Sequence, residues 1–150
     1  MDDARMAPRF GGDALSVLEG VPYGKIESVW RDIEPLVRSV TDKSLGNYTP
    51  EDIYVSLIER DMQLWVSRND GKIEAICVTR IDVAPNIKTC AIPIIAGSNR
   101  EHWLDFVDTI SAWAKSQGCQ ALDGFFRDGW KRVLKDQGWS LGWTFARKWI

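Results

Sequence analysis

The sequence predicts a mixed α/β (α+β) fold, in which a mostly antiparallel central sheet carries helices on both faces. Hydrophobic residues follow a helical period at 26–40, a period of two at 62–96 and a helical period again at 103–114. The 150 residues contain no internal repeat or low-complexity stretch and suit a single domain with its own core. We therefore predict the element order α-α-β-β-β-α-β-α-β within one domain at 25–150, preceded by an arm at 1–24.

The arm at 1–24 is predicted to be flexible, with at most one helical turn. Glycine and proline recur along it, and few apolar residues show any periodicity. Chain ends of this composition are ordered only when contacts hold them in place.

Two helices are predicted next. In the first, apolar residues recur every three or four positions, and Pro35 is expected to kink or split the helix because proline has no backbone donor. Thr49 and Pro50 suit the N-cap and first position of a second helix that continues to about Arg60.

Three strands follow, and their connections are predicted from turn residues and proline. The sequence NDG at 69–71 indicates a tight hairpin between 62–68 and 72–83. The nearly continuous apolar run within 72–83 is typical of a central strand buried on both faces. Pro93 cannot donate to a ladder, so the strand at 87–96 is expected to bulge or leave a neighbour there.

The last third is predicted to alternate between helix and strand. A strongly amphipathic helix at 99–117 ends at Gly118, and a strand at 120–126 follows. A short helix at 128–137 precedes a last strand at 139–150, where bulky side chains occupy the odd positions.

Charge and hydropathy exclude some classes of partner. The net charge of -2 provides no broad attraction for nucleic acid or anionic lipid, and no apolar run is long enough for a membrane span. The basic residues Arg127, Lys131 and Arg132 are interpreted as a solvated helix face. Since the first residues lack the apolar core of a signal peptide, we expect a cytoplasmic location.

The cysteines and the single histidine predict no metal site. Cys77, Cys90 and Cys119 are widely spaced, and His102 is the only histidine, so no zinc-ligand pattern arises. Buried free thiols in a reducing compartment are the expected state of the cysteines. His102 is interpreted as a solvated helical residue.

The element order, Pro93 and the closing pair Gly138–Trp139 together resemble the Gcn5-related N-acetyltransferase (GNAT) family over roughly 25–150. The resemblance implies that an acyl-CoA would lie between two splayed strands, with Pro93 where the splay begins. It also implies that a glycine-rich loop at the start of the central helix would bind the pyrophosphate through free N–H groups.

The corresponding loop, IIAGSNREHW at 94–103, retains one glycine of the family pattern. The resemblance places acyl-CoA, if it binds, on backbone donors of Gly97, Ser98, Asn99 and Arg100. However, Ser98 and Glu101 have the spacing of a capping box, which would occupy the same donors. We therefore expect the acyl-CoA site to be eroded, with no cofactor.

The acid–base residues of the family are also poorly matched. Aligning Gly138–Trp139 with the closing Gly–aromatic of the family motif places Leu134 where a tyrosine often donates a proton, and leucine has no proton to donate. Asp82 and Asp123 are the candidate bases, although each also suits a turn or cap. All three tyrosines lie within the first 54 residues of the chain: Tyr23, Tyr48 and Tyr54.

Three functions are compatible with these features. The first is a degenerate GNAT-like binding or assembly module, similar to small proteins of tailed bacteriophages found in the host cytoplasm or the virion. Its protein partner would contact the arm at 1–24 and the tryptophan-rich second half, including Trp143 and Trp149. The alternative is an N-acetyltransferase that uses acetyl-CoA with divergent motifs. A protein that binds a small ligand in the old acyl groove is the third.

Overall fold

A computed structural model describes residues 17–98 and 102–150, and a five-stranded sheet is its centre. The strands lie in the sheet in chain order. The first three pairings are antiparallel, whereas the last is parallel. The strands are β1 (Leu18–Val21), β2 (Gln63–Asn69), β3 (Lys72–Val83), β4 (Lys88–Gly97) and β5 (Ala121–Gly124). This arrangement confirms the predicted mixed, mostly antiparallel sheet.

Helices cover both faces of the sheet, as predicted. The first two helices pack on one face, and the third packs on the other, where it connects the parallel strands β4 and β5. No helix in the described part of the chain is long and apolar enough to cross a membrane. The helices are α1 (Ile26–Thr41), α2 (Pro50–Ile58), α3 (Trp103–Ser116) and α4 (Lys131–Asp136).

Strand β3 is buried on both faces, which explains its continuous apolar run. Ala75 and Cys77 belong to the core beneath α3, whereas Ile76 and Val78 belong to the core beneath α1 and α2. Each large apolar side chain buried in this way contributes about 1.5–3 kcal/mol. The prediction of a central strand at 72–83 is confirmed.

The predicted hairpin turn and the start of the second helix are confirmed in detail. Asn69 pairs with Lys72, and the two residues between them, Asp70 and Gly71, both have positive φ, as a type I′ turn requires. At α2, the Thr49 hydroxyl accepts from the backbone N–H of the third helical residue, whose carboxylate accepts from the Thr49 N–H in return.

Pro35 does not split the first helix. Helix α1 continues through it from Ile26 to Thr41, because Pro35 lies on the exposed side, where water can bind the carbonyl that loses its partner. Ile33 and Val37, on the opposite side, are fully buried and hold both halves of the helix against the sheet.

The predicted flexible arm contains a strand. Residues Leu18–Val21 pair antiparallel with β2, and both Leu18 and Val21 are buried. The four-residue strand is too short to give a clear period of two, so the sequence pattern does not reveal it. The rest of the arm up to residue 16 lies outside the described residues.

The predicted last strand is not formed. Helix α4 does end at Gly138, which has φ +83, and the Trp139 N–H donates to the Leu134 carbonyl at 3.0 Å. The segment 139–150 beyond it has no strand partner in the part of the chain that the structure describes. Its alternate side chains contact a loop instead of a sheet, because a period of two describes any extended chain with one contacting side.

The three cysteines are buried, and this has a measurable consequence. Burial raises the pKa of Cys77 and of Cys90 from 9.0 to about 12, and it also raises the pKa of Cys119. We expect none of the thiols to react with Ellman's reagent in the native protein near neutral pH, and all three to react after denaturation.

The raised pKa values of the thiols also make the free energy of unfolding depend on pH. An unfolded thiol ionises at lower pH than a buried one, so the free energy of unfolding should fall as the pH rises above about 9. Rapid labelling of a thiol in the native state would contradict this account.

Candidate functional site

Strands β4 and β5 separate at Pro93. They pair from Thr89 opposite Ala121 to Ile92 opposite Gly124, and the pairing stops there. Ile92 packs beneath α3, whereas Ile94 packs beneath α1 and α2. Residues two apart share a face in a regular strand, so β4 contains a bulge at this point. The bulge and separation predicted from the proline are confirmed.

A cleft of about 660 Å³ lies where the two strands separate. One wall is the last turn of α1 with the loop that follows it, and the floor includes β4 from Ile92 to Gly97. The opposite wall consists of the start of α3 and the segment after β5. Phe145 from the segment 139–150 also lines the cleft.

The charged side chains that line the cleft are all basic. Lys43, Arg80 and Arg127 line it, and no Asp or Glu among the described residues does so. Lys131 and Arg132 do not line the cleft, and Lys131 pairs with an exposed aspartate at 3.3 Å. The cleft therefore favours a ligand that carries negative charge.

Aromatic rings form the wall beside α3. The Trp103 ring packs edge-on against Phe126 and Trp130, with ring centroids 5.7 and 5.5 Å apart. Trp103 is buried and lines the cleft, and its indole N–H has no hydrogen-bond partner among the described residues. A buried donor without a partner costs about 1–3 kcal/mol, and an acceptor on a bound molecule would satisfy it.

Tyr48 and Arg80 meet at the opposite wall. The guanidinium of Arg80 donates to the Tyr48 phenol oxygen at 2.7 Å and to both carboxylate oxygens of Asp82 at 2.7 and 3.0 Å. The hydrogen bond to Asp82 is the main cause that raises the pKa of Arg80, so the guanidinium stays charged. Since the phenol oxygen is the acceptor in this contact, the Tyr48 proton remains available to a group in the cleft.

Tyr48 is not among the site residues predicted from the sequence. It lies 32 residues from Arg80 in the chain, in a polar loop that has no family motif. A tyrosine next to a helix start is not an unusual pattern, so no signal in the sequence could have identified it.

Two of the four predicted acyl-CoA residues line the cleft. Gly97 and Ser98 do so, whereas Asn99 and Arg100 lie outside the described residues. Gly97 has φ +111, and a Cβ there would lie 2.2 Å from the Glu74 carbonyl oxygen. Glycine is thus required for pairing with β3, whatever binds nearby.

Helix α3 begins at Trp103, and Glu101 of the predicted capping box lies outside the described residues. The N-cap residue is His102, which makes no side-chain cap bond. The Ser98 hydroxyl donates to the Glu74 carbonyl at 3.3 Å, beside the bond from the Ser98 N–H at 2.9 Å. Ser98 therefore extends the contact between β4 and β3, and the capping box with Glu101 stays a prediction.

Neither candidate base lines the cleft. Asp82 reaches it only through Arg80, and Asp123 is exposed on β5 opposite Ala91. Leu134, at the position where the family often has tyrosine, is buried and has a packing role.

The fold and the cleft define a class: the chain has the fold of the Gcn5-related N-acetyltransferases. No protein-family profile and no curated protein matches the sequence. The likeness to solved structures, by contrast, extends over nearly the whole chain. At 10–16% identity, the likeness is one of fold.

Three of the similar structures have named activities. Ribosomal-protein-alanine N-acetyltransferase from Brucella melitensis biovar Abortus 2308 has a TM-score of 0.68 and 10% identity, over 91% of this chain and 99% of its own. Aminoglycoside N-acetyltransferase AAC(6')-Iy in complex with CoA has a TM-score of 0.66 and 11% identity, over 93% and 99%. Glucosamine-6-phosphate N-acetyltransferase from Arabidopsis thaliana has a TM-score of 0.61 and 16% identity, over 91% and 99%.

Proposed function

We propose that the chain binds acetyl-CoA or a related acyl-CoA in the cleft and transfers the acyl group to a primary amine. The observation that carries this proposal is the separation of β4 from β5 at Pro93, which opens the cleft between two strands. One of the similar structures, the aminoglycoside N-acetyltransferase, is in complex with CoA.

The residues of the cleft suit an acyl-CoA. The phosphates of CoA are anionic, and the charged side chains that line the described cleft are the cations Lys43, Arg80 and Arg127. The free indole N–H of Trp103 offers a donor to an amide or phosphate oxygen. Because the described start of α3 has no side-chain cap, its backbone donors suit an anion as well.

Tyr48 is the group that we place at the reacting atoms. The amine nitrogen would attack the thioester carbonyl carbon, the carbon–sulfur bond would break, and the thiolate would take a proton from the Tyr48 phenol. Arg80 holds the phenol oxygen in place through its hydrogen bond at 2.7 Å, and the phenolate would regain a proton from water after the transfer. No carboxylate or histidine among the described residues lines the cleft, so water would accept the proton of the amine. Positioning of the amine would supply much of the rate enhancement.

Binding of acetyl-CoA tests the proposal directly. We expect micromolar binding by isothermal titration calorimetry, and about tenfold weaker binding for Arg127→Ala, which removes one cation from the cleft. Arg132→Ala is the matched control, since Arg132 is exposed on α4 and does not line the cleft. The absence of binding at millimolar acetyl-CoA would overturn the proposal.

A binding or assembly role, such as that of a phage virion protein, is the second candidate. Trp143 is fully exposed and Trp149 largely so, and large exposed aromatics concentrate at protein interfaces. The burial of Leu134 in place of the family tyrosine also favours it. The titration separates the two candidates, because this role needs no affinity for acetyl-CoA.

A further inference from the structure

The segment 139–150 is fastened to the loop between α1 and α2. The Arg147 guanidinium donates to the backbone carbonyl of Leu45 and to the side-chain oxygen of Asn47, the latter at 2.6 Å. These bonds join residues about a hundred positions apart in the chain. A bidentate guanidinium fixes the direction of a contact as well as its distance.

Two aromatic side chains complete the contact. The Arg147 guanidinium lies 5.1 Å from the centroid of Phe145 and 5.6 Å from that of Trp149, within the range of cation–π attraction. The three residues alternate along an extended segment and so share one side of it.

The loop is shaped to receive the Trp149 ring. A Cβ on Gly46 would lie 2.8 Å from this ring, and Gly46 has φ +84. The loop backbone is therefore unusual and matched to the segment that lies on it.

The α1–α2 loop and the segment 139–150 both contribute residues that line the cleft. The loop contributes Lys43 and Tyr48, and the segment contributes Phe145. Within the loop, the Ser44 hydroxyl accepts from the Tyr48 N–H at 3.1 Å. A shift of the loop would therefore move the Tyr48 phenol away from the cleft and from Arg80.

We infer that Phe145, Arg147 and Trp149 form a latch that closes the cleft at the α1–α2 loop, and that Arg147 is a positioning residue for Tyr48. This inference rests on the proposed function, because it assigns the latched end to the amine acceptor and to proton transfer. Acyl-CoA affinity should depend less on the latch than acyl transfer does, since the start of α3 and Arg127 lie outside the loop, which contributes only Lys43 to the cations of the described cleft.

Hydrogen exchange of the backbone amides at 43–48 tests the latch without any substrate. We expect Arg147→Ala to speed exchange there about tenfold or more, because two bonds to the loop are lost. Lys148→Ala is the matched control, since Lys148 is the next residue and its side chain is exposed. Trp149→Ala should have the same effect as Arg147→Ala by removing the ring over Gly46. Unchanged exchange in both variants would overturn the latch.

Kinetics with acetyl-CoA and alaninamide, a small primary amine, test the positioning role. Arg147→Ala should lower kcat about tenfold and change the Kd for acetyl-CoA much less, and Arg147→Lys should restore part of kcat by keeping the charge and a donor. Faster exchange with an unchanged kcat would overturn the positioning role. If the wild-type protein neither binds nor uses acetyl-CoA, the proposed function fails, and the exchange data still decide whether the latch exists.

Discussion

Replacing Trp65 with alanine is expected to lower the free energy of unfolding by about 4 kcal/mol, enough to remove a large share of the stability of a domain of this size. Trp65 is 1% exposed on β2 and packs edge-on against Trp113 of α3, with ring centroids 5.3 Å apart. The substitution leaves a cavity between the sheet and α3.

The substitution also removes a buried hydrogen bond. The indole N–H of Trp65 donates to the Thr79 hydroxyl at 3.0 Å, and this hydroxyl donates to the Gln63 side-chain oxygen at 2.8 Å. All three residues are buried. Removal of the indole therefore leaves the Thr79 hydroxyl oxygen without a hydrogen-bond donor at a position away from water.

Urea unfolding of Trp65→Ala beside Trp143→Ala measures the effect with a matched control. Trp143 is fully exposed, so the same substitution there should change the free energy of unfolding by less than about 0.5 kcal/mol. Equal effects at the two positions would show that the core between β2 and α3 is not packed as described.

Tyr48→Phe is expected to lower kcat for acetyl transfer about a hundredfold and to leave the Kd for acetyl-CoA unchanged. The substitution removes the one phenol that lines the described cleft, and general acid catalysis is typically worth about 10²–10⁴ in rate. The ring remains, so packing against the core beneath α1 and α2 is retained.

Tyr54→Phe is the control for this experiment. Tyr54 packs edge-on against Trp30, with ring centroids 5.0 Å apart, and does not line the cleft. The measurement is the steady-state rate of CoA release, with alaninamide as acceptor, for both variants and the wild type. A Tyr48→Phe protein as fast as the wild type would exclude Tyr48 as the proton donor, although acyl transfer itself would stand.

Local signals in the sequence predicted the parts of the fold that local chemistry determines. The hairpin at Asp70–Gly71 needs two positive φ angles, and the cap at Thr49 needs one hydroxyl in the right place. The bulge at Pro93 follows from a missing N–H. Each of these is decided within a few residues, so a short stretch of sequence contains the whole cause.

Features that depend on distant contacts were not predictable in this way. Bulky side chains alternate along the segment 139–150 as they would in a strand. The segment forms a latch because it contacts the α1–α2 loop, which is about a hundred residues away in the chain. The Ser98 hydroxyl donates to the Glu74 carbonyl of the neighbouring strand, a contact that no local pattern indicates. Tyr48 reached the candidate site through a contact with Arg80 that no motif records.

The cleft depends on the number of residues in β4 as well as on their chemistry. Between the pairs Val78–Ile94 and Arg80–Ala91, β3 has one residue and β4 has two. On the N-terminal side of the extra residue, even-numbered side chains of β4 such as Ile92 face α3. On its C-terminal side, the odd-numbered Ile95 faces α3. A chain with one residue fewer at this point would keep its alternation along the whole of β4. The two parallel strands would then continue side by side, and nearly the same amino acids would enclose no opening between them.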